Sequence, residues 1–201
     1  NPRALGLLQP AWEEFADLEE TPAGVALMQA MAAAYLDGND DATALSWLER
    51  LLPVAERLDL LTETSRALQR RSGILFRSDR PREALILQRG THELAVANDI
   101  ERVHSATRTV LTFYEQFADP AAGLAMARDG LEIAARLGSV AYGFGMVGNA
   151  VSCSIRVGEW AWASALLDEW LANETIGQFY LELFVDRAAL TALRGGDATE
   201  D

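Results

Sequence analysis

The sequence predicts an all-α protein, an α-solenoid of about ten helices stacked as antiparallel pairs. Apolar residues recur at helical spacing along most of the 201 residues. Similar stretches return at steps of 39 or 40 residues, which indicates stacked repeat units. Short breakers containing Gly, Pro, Asn or Asp separate the helical segments, and no convincing run of alternating β-branched residues indicates a strand.

The repeat is clearest in the second helix of each predicted pair. Stretches that begin at Ala42, Arg82 and Ala121 align without gaps, and a fourth begins at Gly158. Each has a small residue near its start, in order Ala44, Ala84, Gly123 and Ala163. Because one helical pair cannot bury its apolar face alone, neighbouring units are expected to stack and share a core.

A first helix is predicted before each of these stretches, at residues 22–37, 60–78, 99–118, 139–157 and 174–194. Pro81 and Pro120 stand where a helix would begin, because a missing N–H costs nothing there. We therefore expect a single helical-repeat domain over 1–201, with units at 21–59, 60–98, 99–138 and 139–173 and a partial unit at 174–201. Residues 1–16 are expected to be the last helix of a preceding unit, so the chain is expected to be a fragment of a longer one.

These units resemble tetratricopeptide repeats lengthened to about 40 residues. The family's aromatic residue late in the first helix is matched by Tyr35 and Tyr114, and its turn glycine by Gly158. Arg71 and Ser72 depart from the family pattern, which has an apolar residue and a glycine there. The resemblance implies a right-handed superhelix whose first helices line a concave surface. The longer unit is similar to helical arms of large bacterial signalling regulators, which follow a switching ATPase with a DNA-binding domain, or a nucleotide cyclase.

The composition argues against some classes of binding partner. The net charge of −13 argues against nucleic acid, and the apolar stretch 24–36 is too short to span a bilayer. Cys153 is the single cysteine, so no internal disulfide forms and a cytoplasmic location without a membrane is expected. Every basic residue is Arg, and nine of them lie between Arg66 and Arg108 against five acids.

Three glycines raise the question of a dinucleotide site. Gly143, Gly145 and Gly148 spell G-x-G-x-x-G, and Asp168 lies about 20 residues downstream. A dinucleotide loop requires a preceding strand, whereas the residues up to Gly138 are predicted to be a helix. We therefore expect these glycines to lie inside a first helix, where small residues let helices approach closely, and we expect no cofactor.

Catalytic and metal sites are not expected. His92 and His104 lie on different predicted helices, without further His or Cys at metal-ligand spacing, and are expected to be structural or solvated. Cys153 is expected to be a buried, inert thiol. Trp162 is expected to point outward, as an interface anchor or as a cover for the adjoining turn. Since no nucleophile–base pair assembles, the chain is not expected to be an enzyme.

The best candidate site lies on the first helices. Mapping the groove-facing positions that the resemblance implies gives Gln29, Arg66, Gln69, Arg70, Arg77, Arg108, Thr112, Glu115, Gln116, Ser152 and Arg156. Arg77, Gln116 and Arg156 share one position in successive units and are expected to form a row. A guanidinium suits carboxylates and phosphates. One interpretation is a groove for an acidic peptide, an acidic protein segment or an anionic small molecule, and the other is that these arginines pair with the chain's own acids.

The sequence thus favours a non-catalytic protein- or peptide-binding repeat module. It would be the sensor or interaction arm of a bacterial signalling or transcription-regulating protein. The alternatives are a small-molecule-sensing pocket beside Gly145 and Gly148, or a self-association scaffold. The oligomeric state stays open.

Overall fold

The computed structural model describes residues 2–172 and 180–195, and these residues form α-helices and turns without a strand. The predicted all-α fold of about ten helices is confirmed. A short 3-10 turn, Ala16–Leu18, lies between the first two α-helices. The helices are α1 Pro2–Glu14, α2 Pro22–Asp37, α3 Asp41–Arg57, α4 Leu61–Arg77, α5 Pro81–Ala97, α6 Glu101–Ala118, α7 Pro120–Leu137, α8 Val140–Val157, α9 Trp160–Leu171 and α10 Tyr180–Leu193.

Successive helices pack against each other, as in an α-solenoid. The predicted first helices correspond to α2, α4, α6 and α8, and the described part of the fifth is α10. Residue 173 of the predicted fourth unit, and residues 174–179 and 196–201 of the predicted fifth, lie outside the described residues. Helix contacts divide the chain into two compact units, Asn1–His104 and Ser105–Asp201.

The helix ends show the repeat most directly. Positive φ occurs after α10 at Gly195 and also at six residues between earlier helices, namely Asn39, Asp59, Asp79, Asp99, Gly138 and Gly158. The closure is the same at these six. The residue after each donates its N–H to a carbonyl five positions back, for example Asp40 to Tyr35 at 2.9 Å and Glu159 to Ser154 at 2.9 Å. This is the Schellman closure, which favours Gly and tolerates Asn and Asp because left-handed φ is strained for most side chains.

The helix starts also follow local rules. Pro81 and Pro120 each occupy the first helical position, as the sequence predicted. The Asp40 carboxylate accepts the Thr43 N–H at 3.0 Å, and the Asp119 carboxylate accepts the Ala122 N–H at 3.1 Å. Each acid satisfies one of the N–H groups that a helix start leaves without a partner.

In the first unit, α2 packs on α3 and α4, and α4 packs on α5. Met28, Leu48 and Leu51 are fully buried in its core. The Ser72 hydroxyl donates to the Gln88 amide oxygen at 2.6 Å, a buried hydrogen bond between α4 and α5. At this point, where the sequence departs from the repeat pattern, a polar pair therefore joins the two helices.

In the second unit, α8 packs on α7, α9 and α10. Val147, Val151 and Leu167 are fully buried in its core. The glycines of the G-x-G-x-x-G stretch lie inside α8, as predicted. A Cβ on Gly143 would lie 2.4 Å from Trp170 Cη2 on α9, so the missing side chain allows that helix contact.

No described helix combines the length and the apolar character needed to cross a membrane.

Candidate functional site

The predicted site residues differ in exposure. Gln29, Thr112, Glu115 and Gln116 are buried, Arg66, Gln69, Arg70, Arg108 and Ser152 are half-buried, and Arg77 and Arg156 are exposed. They divide between the two compact units, with Gln29 through Arg77 in the first and Arg108 through Arg156 in the second. Each unit holds a cleft lined by some of them.

The first unit has a small cleft between α2 and α4, here called the Arg cleft. It has a volume of about 300 Å³ and is lined by Gln29, Ala30, Arg66 and Arg70. The Gln29 amide donates to the Glu63 carbonyl at 2.6 Å, and the Arg70 guanidinium donates to the Gln29 carbonyl at 3.3 Å and to its side-chain oxygen. Gln29 is thus held in place from α4, and it positions Arg70 at the cleft.

Two cations face the Arg cleft, and no carboxylate lies among the described residues that line it. Burial lowers the pKa of the Arg70 guanidinium, the Arg66 charge lowers it further, and only Asp37 opposes them. Both effects disfavour the positive charge of Arg70. An anion between the two guanidinium groups would offset that repulsion and receive their donor groups.

Arg77 does not line the Arg cleft. Its guanidinium donates to both carboxylate oxygens of Asp41 at 2.8 and 2.6 Å, which joins the end of α4 to the start of α3. This pair lowers the pKa of Asp41, mainly through the hydrogen bond. For this residue, the structure agrees with the interpretation that an arginine pairs with the chain's own acids.

The arginines of the second unit also have neighbours within the chain. Arg108 lies on α6 with its Nη1 4.0 Å from an Asp129 carboxylate oxygen. The Arg156 guanidinium lies over the Phe117 ring, 5.0 Å from its centroid. The Thr112 hydroxyl donates to the Arg108 carbonyl at 2.8 Å, so this hydrogen bond lies within α6.

The second unit has a larger cleft formed by α6, α8 and α10, here called the aromatic–acidic cleft. Its volume is about 470 Å³. Gln116 and Ser152, two of the predicted site residues, line it. Sequence analysis missed its other main contributors, which are Phe113, Phe117, Leu181, Val185, Glu182 and Asp186.

The Asn149 amide connects two helices of this cleft. It donates to the Thr109 carbonyl at 2.9 Å, which ties α8 to α6. Asn149 precedes Gly158 by nine residues, as Arg70 precedes Asp79 by nine, and both side chains donate to a backbone carbonyl of the preceding first helix. The same place in the repeat thus carries a cation in the first unit and a neutral amide in the second.

Asp186 is the most perturbed acid among the described residues. Burial, together with the neighbouring Glu182 charge, raises its pKa to about 6. Its Oδ2 atom lies 3.7 Å from where a Gly148 side chain would begin. The carboxylate is thus half-buried beside Gly148.

A third cleft lies along α7 and α9 in the second unit, with a volume of about 580 Å³. Trp162 and Trp170 line it, and the Arg128 guanidinium lies 4.5 Å from the Trp162 ring centroid. Arg128 also pairs with Glu159 beside the turn before α9. Trp162 is therefore half-buried under Arg128 near that turn.

The histidines were predicted to be structural or solvated, and the cysteine to be a buried, inert thiol. His92 on α5 and His104 on α6 have ring centroids 5.0 Å apart, a pairing that sequence analysis missed. Cys153 is fully buried, and burial raises the pKa of its thiol to about 11, which keeps it protonated and unreactive. The part of the chain that the structure describes contains no group of His, Cys, Asp and Glu arranged to hold a metal ion.

Compared with known proteins, the chain matches no family model and no curated protein.

Proposed function

We propose that this chain is a non-catalytic, tetratricopeptide-like module that binds an acidic protein segment or peptide through the faces of its first helices. The observation that carries the proposal is the Arg cleft, where Arg66 and Arg70 converge without a lining carboxylate. Gln29 holds Arg70 by hydrogen bonds, so the donor group is positioned before a ligand arrives. Preorganised donors lower the entropy lost on binding.

A carboxylate is the ligand group that fits best. A cleft of about 300 Å³ has room for one side chain, not for a folded domain, so an extended segment would insert an acid there. The chain has a net charge of −13, but the charged residues among those described as lining this cleft are two arginines, which would attract an acidic partner selectively.

The test is fluorescence anisotropy with a labelled short peptide that has Leu-Glu-Leu at its centre, and a matched peptide with Leu-Gln-Leu. Arg66→Gln and Arg70→Gln are each expected to weaken binding of the acidic peptide by about tenfold, because each removes a charged hydrogen bond. Arg82→Gln is the matched control, since Arg82 is exposed at the start of α5. Equal binding of both peptides, or an equal loss in the control, would refute the proposal.

Inorganic phosphate serves as a competitor in the same assay. If the site recognises the acidic peptide along its length, phosphate displaces the peptide poorly. If the site is one for a free anion, phosphate and the peptide bind with similar affinities, and phosphate displaces the peptide. Circular dichroism of each variant checks that it folds. The hydrogen bonds that hold Gln29 and Arg70 together do not involve Arg66, so Arg66→Gln tests binding even where Arg70→Gln unfolds the protein.

The wider role is part of the same proposal. As an arm of a cytoplasmic bacterial signalling or transcription regulator, the module would favour one state of a neighbouring switch domain when its ligand is bound. The full-length regulator would then change its activity when the acidic peptide is added. Unchanged activity at saturating peptide would limit the function to binding.

A further inference from the structure

We propose that the aromatic–acidic cleft of the second unit is a separate binding site, which takes a basic side chain flanked by apolar residues in an extended peptide of a partner protein. This goes beyond the acidic ligand of the Arg cleft, because the residues and the charge of the ligand both differ. It rests on the proposed function only in that both sites bind peptides without catalysis.

The acids provide the first argument. Glu182 and Asp186 are one helical turn apart on α10 and both line the cleft. Among the described residues that line it, they are the charged ones. Asp186 is half-buried and Glu182 is exposed, and their carboxylates repel each other, so a guanidinium or ammonium group between them would remove that repulsion.

The apolar residues provide the second argument. Leu181 and Val185 are 73% and 60% exposed, and they lie on the same side of α10 as the acids. Opposite them, the Phe113 and Phe117 rings on α6 meet edge to face at 5.6 Å. A patch of exposed aliphatic and aromatic side chains beside two acids matches a cation on an apolar stem with apolar neighbours.

The floor of the cleft provides the third argument. Gly148 lies beside Asp186, since a Cβ at this position would be in ordinary contact with Asp186 Oδ2 at 3.7 Å. Asn149 uses its amide N–H on the Thr109 carbonyl, which leaves its oxygen as an acceptor for a peptide N–H. The floor therefore offers a polar group for a peptide backbone close to the acid.

Charge complementarity selects the occupant. The segments 173–179 and 196–201 of this chain are themselves acidic, with Glu174, Asp197, Glu200 and Asp201, so they would be repelled by the cleft. A second copy of the chain carries a net charge of −13 and meets the same repulsion overall. A basic segment of a different protein fits the site best.

The site is also expected to respond to pH. Among the described residues that line the cleft, Glu182 on α10 is the other charged group beside Asp186, while α6 and α8 contribute uncharged side chains. The Arg156 guanidinium on α8 lies over the Phe117 ring. Because burial and Glu182 raise the Asp186 pKa to about 6, its carboxylate becomes charged as the pH rises through that value. Affinity for a cation should therefore increase over the same interval.

The test uses two labelled short peptides, one with Leu-Arg-Leu at its centre and one with Leu-Gln-Leu, at low ionic strength. The basic peptide is expected to bind, and Asp186→Asn to weaken it by about tenfold through loss of a charged hydrogen bond. Asp168→Asn is the matched control, because Asp168 is an exposed acid of the same unit on α9. Phe117→Leu is expected to weaken binding less, by about threefold, since it removes a ring that is more than half exposed.

Four outcomes decide between the possibilities. Preference for the basic peptide, lost in Asp186→Asn and kept in Asp168→Asn and Arg66→Gln, supports the inference. Equal binding of both peptides overturns it. A loss that also occurs in Arg66→Gln assigns the peptide to the Arg cleft and overturns it as well. Sedimentation that shows a dimer abolished by Asp186→Asn, without peptide binding, would make a second copy the occupant and also overturn it.

Discussion

The Arg cleft and the aromatic–acidic cleft use the same helical frame for opposite charges. In the first, Arg70 donates to the Gln29 carbonyl, and in the second, Asn149 donates to the Thr109 carbonyl from the same place relative to the helix end. What differs is the residue that faces the cleft, which is Arg66 in one unit and Asp186 in the other. In both units a side chain of one first helix donates a hydrogen bond to a carbonyl of the preceding one, while nearby side chains set the charge that the cleft presents.

The largest expected effect concerns two glycines on different sides of α8. Gly143→Ala should lower the free energy of unfolding by about 1–3 kcal/mol, because its Cβ would lie 2.4 Å from Trp170. Gly148→Ala should raise it by about 0.5–1 kcal/mol through helix propensity, since its Cβ would only touch Asp186 at 3.7 Å. Urea unfolding of both variants measures the difference. If both change stability in the same direction, the glycines do not have separate roles.

The second prediction measures how much the half-buried charge of Asp186, in the aromatic–acidic cleft, lowers the free energy of unfolding. Asp186→Asn should stabilise the protein at neutral pH by about 1 kcal/mol, after allowance for partial exposure. The folded-state pKa of about 6 is above the ordinary value of 3.8, so the contribution of Asp186 to stability is full below 3.8 and is lost as the pH rises through 6. The stability gain of the variant should therefore vanish in acid. Thermal melts across this range check it, and a gain independent of pH would contradict it.

The third prediction tests the hydrogen bond between first helices, which has a counterpart in each cleft. Asn149→Ala should cost about 1 kcal/mol, because it leaves the Thr109 carbonyl without its side-chain donor. Ser152→Ala is the control within the same cleft, since its hydroxyl takes no part in this tie between α6 and α8. Chemical denaturation of both variants measures the effect. Equal losses would show that Asn149 has no special part in holding the helices.

The smallest effect concerns Arg77, the first-unit arginine outside the cleft. A double-mutant cycle with Arg77→Ala and Asp41→Ala should give a coupling of about 0.5 kcal/mol, because the Arg77 side chain is 52% exposed. The lowered pKa of Asp41 means that this contribution is present above the ordinary Asp pKa and is lost as the pH falls through the folded-state value. Peptide binding should not change in Arg77→Ala. A loss of peptide binding would show that Arg77 belongs to the binding site.

The sequence by itself determined the helices and their order. Apolar spacing and residues such as Asn39, Pro81 and Gly158 are local signals, because a turn or a helix start depends on a few neighbouring residues. The same signals placed Gln29, Arg66 and Arg70 on first helices, and the structure brings them together in one cleft. They also showed that the G-x-G-x-x-G stretch lies in a helix.

Only the tertiary structure decided which charges meet. Arg77 pairs with Asp41, which is 36 positions away in the sequence, and Asp186 lies against Gly148. The local sequence pattern predicts neither contact. The aromatic–acidic cleft was missed for the same reason, since its residues come from three helices. Helical periodicity gives the face of each residue, but the distance between two helices depends on the packed side chains of both, and so does the charge that a cleft presents.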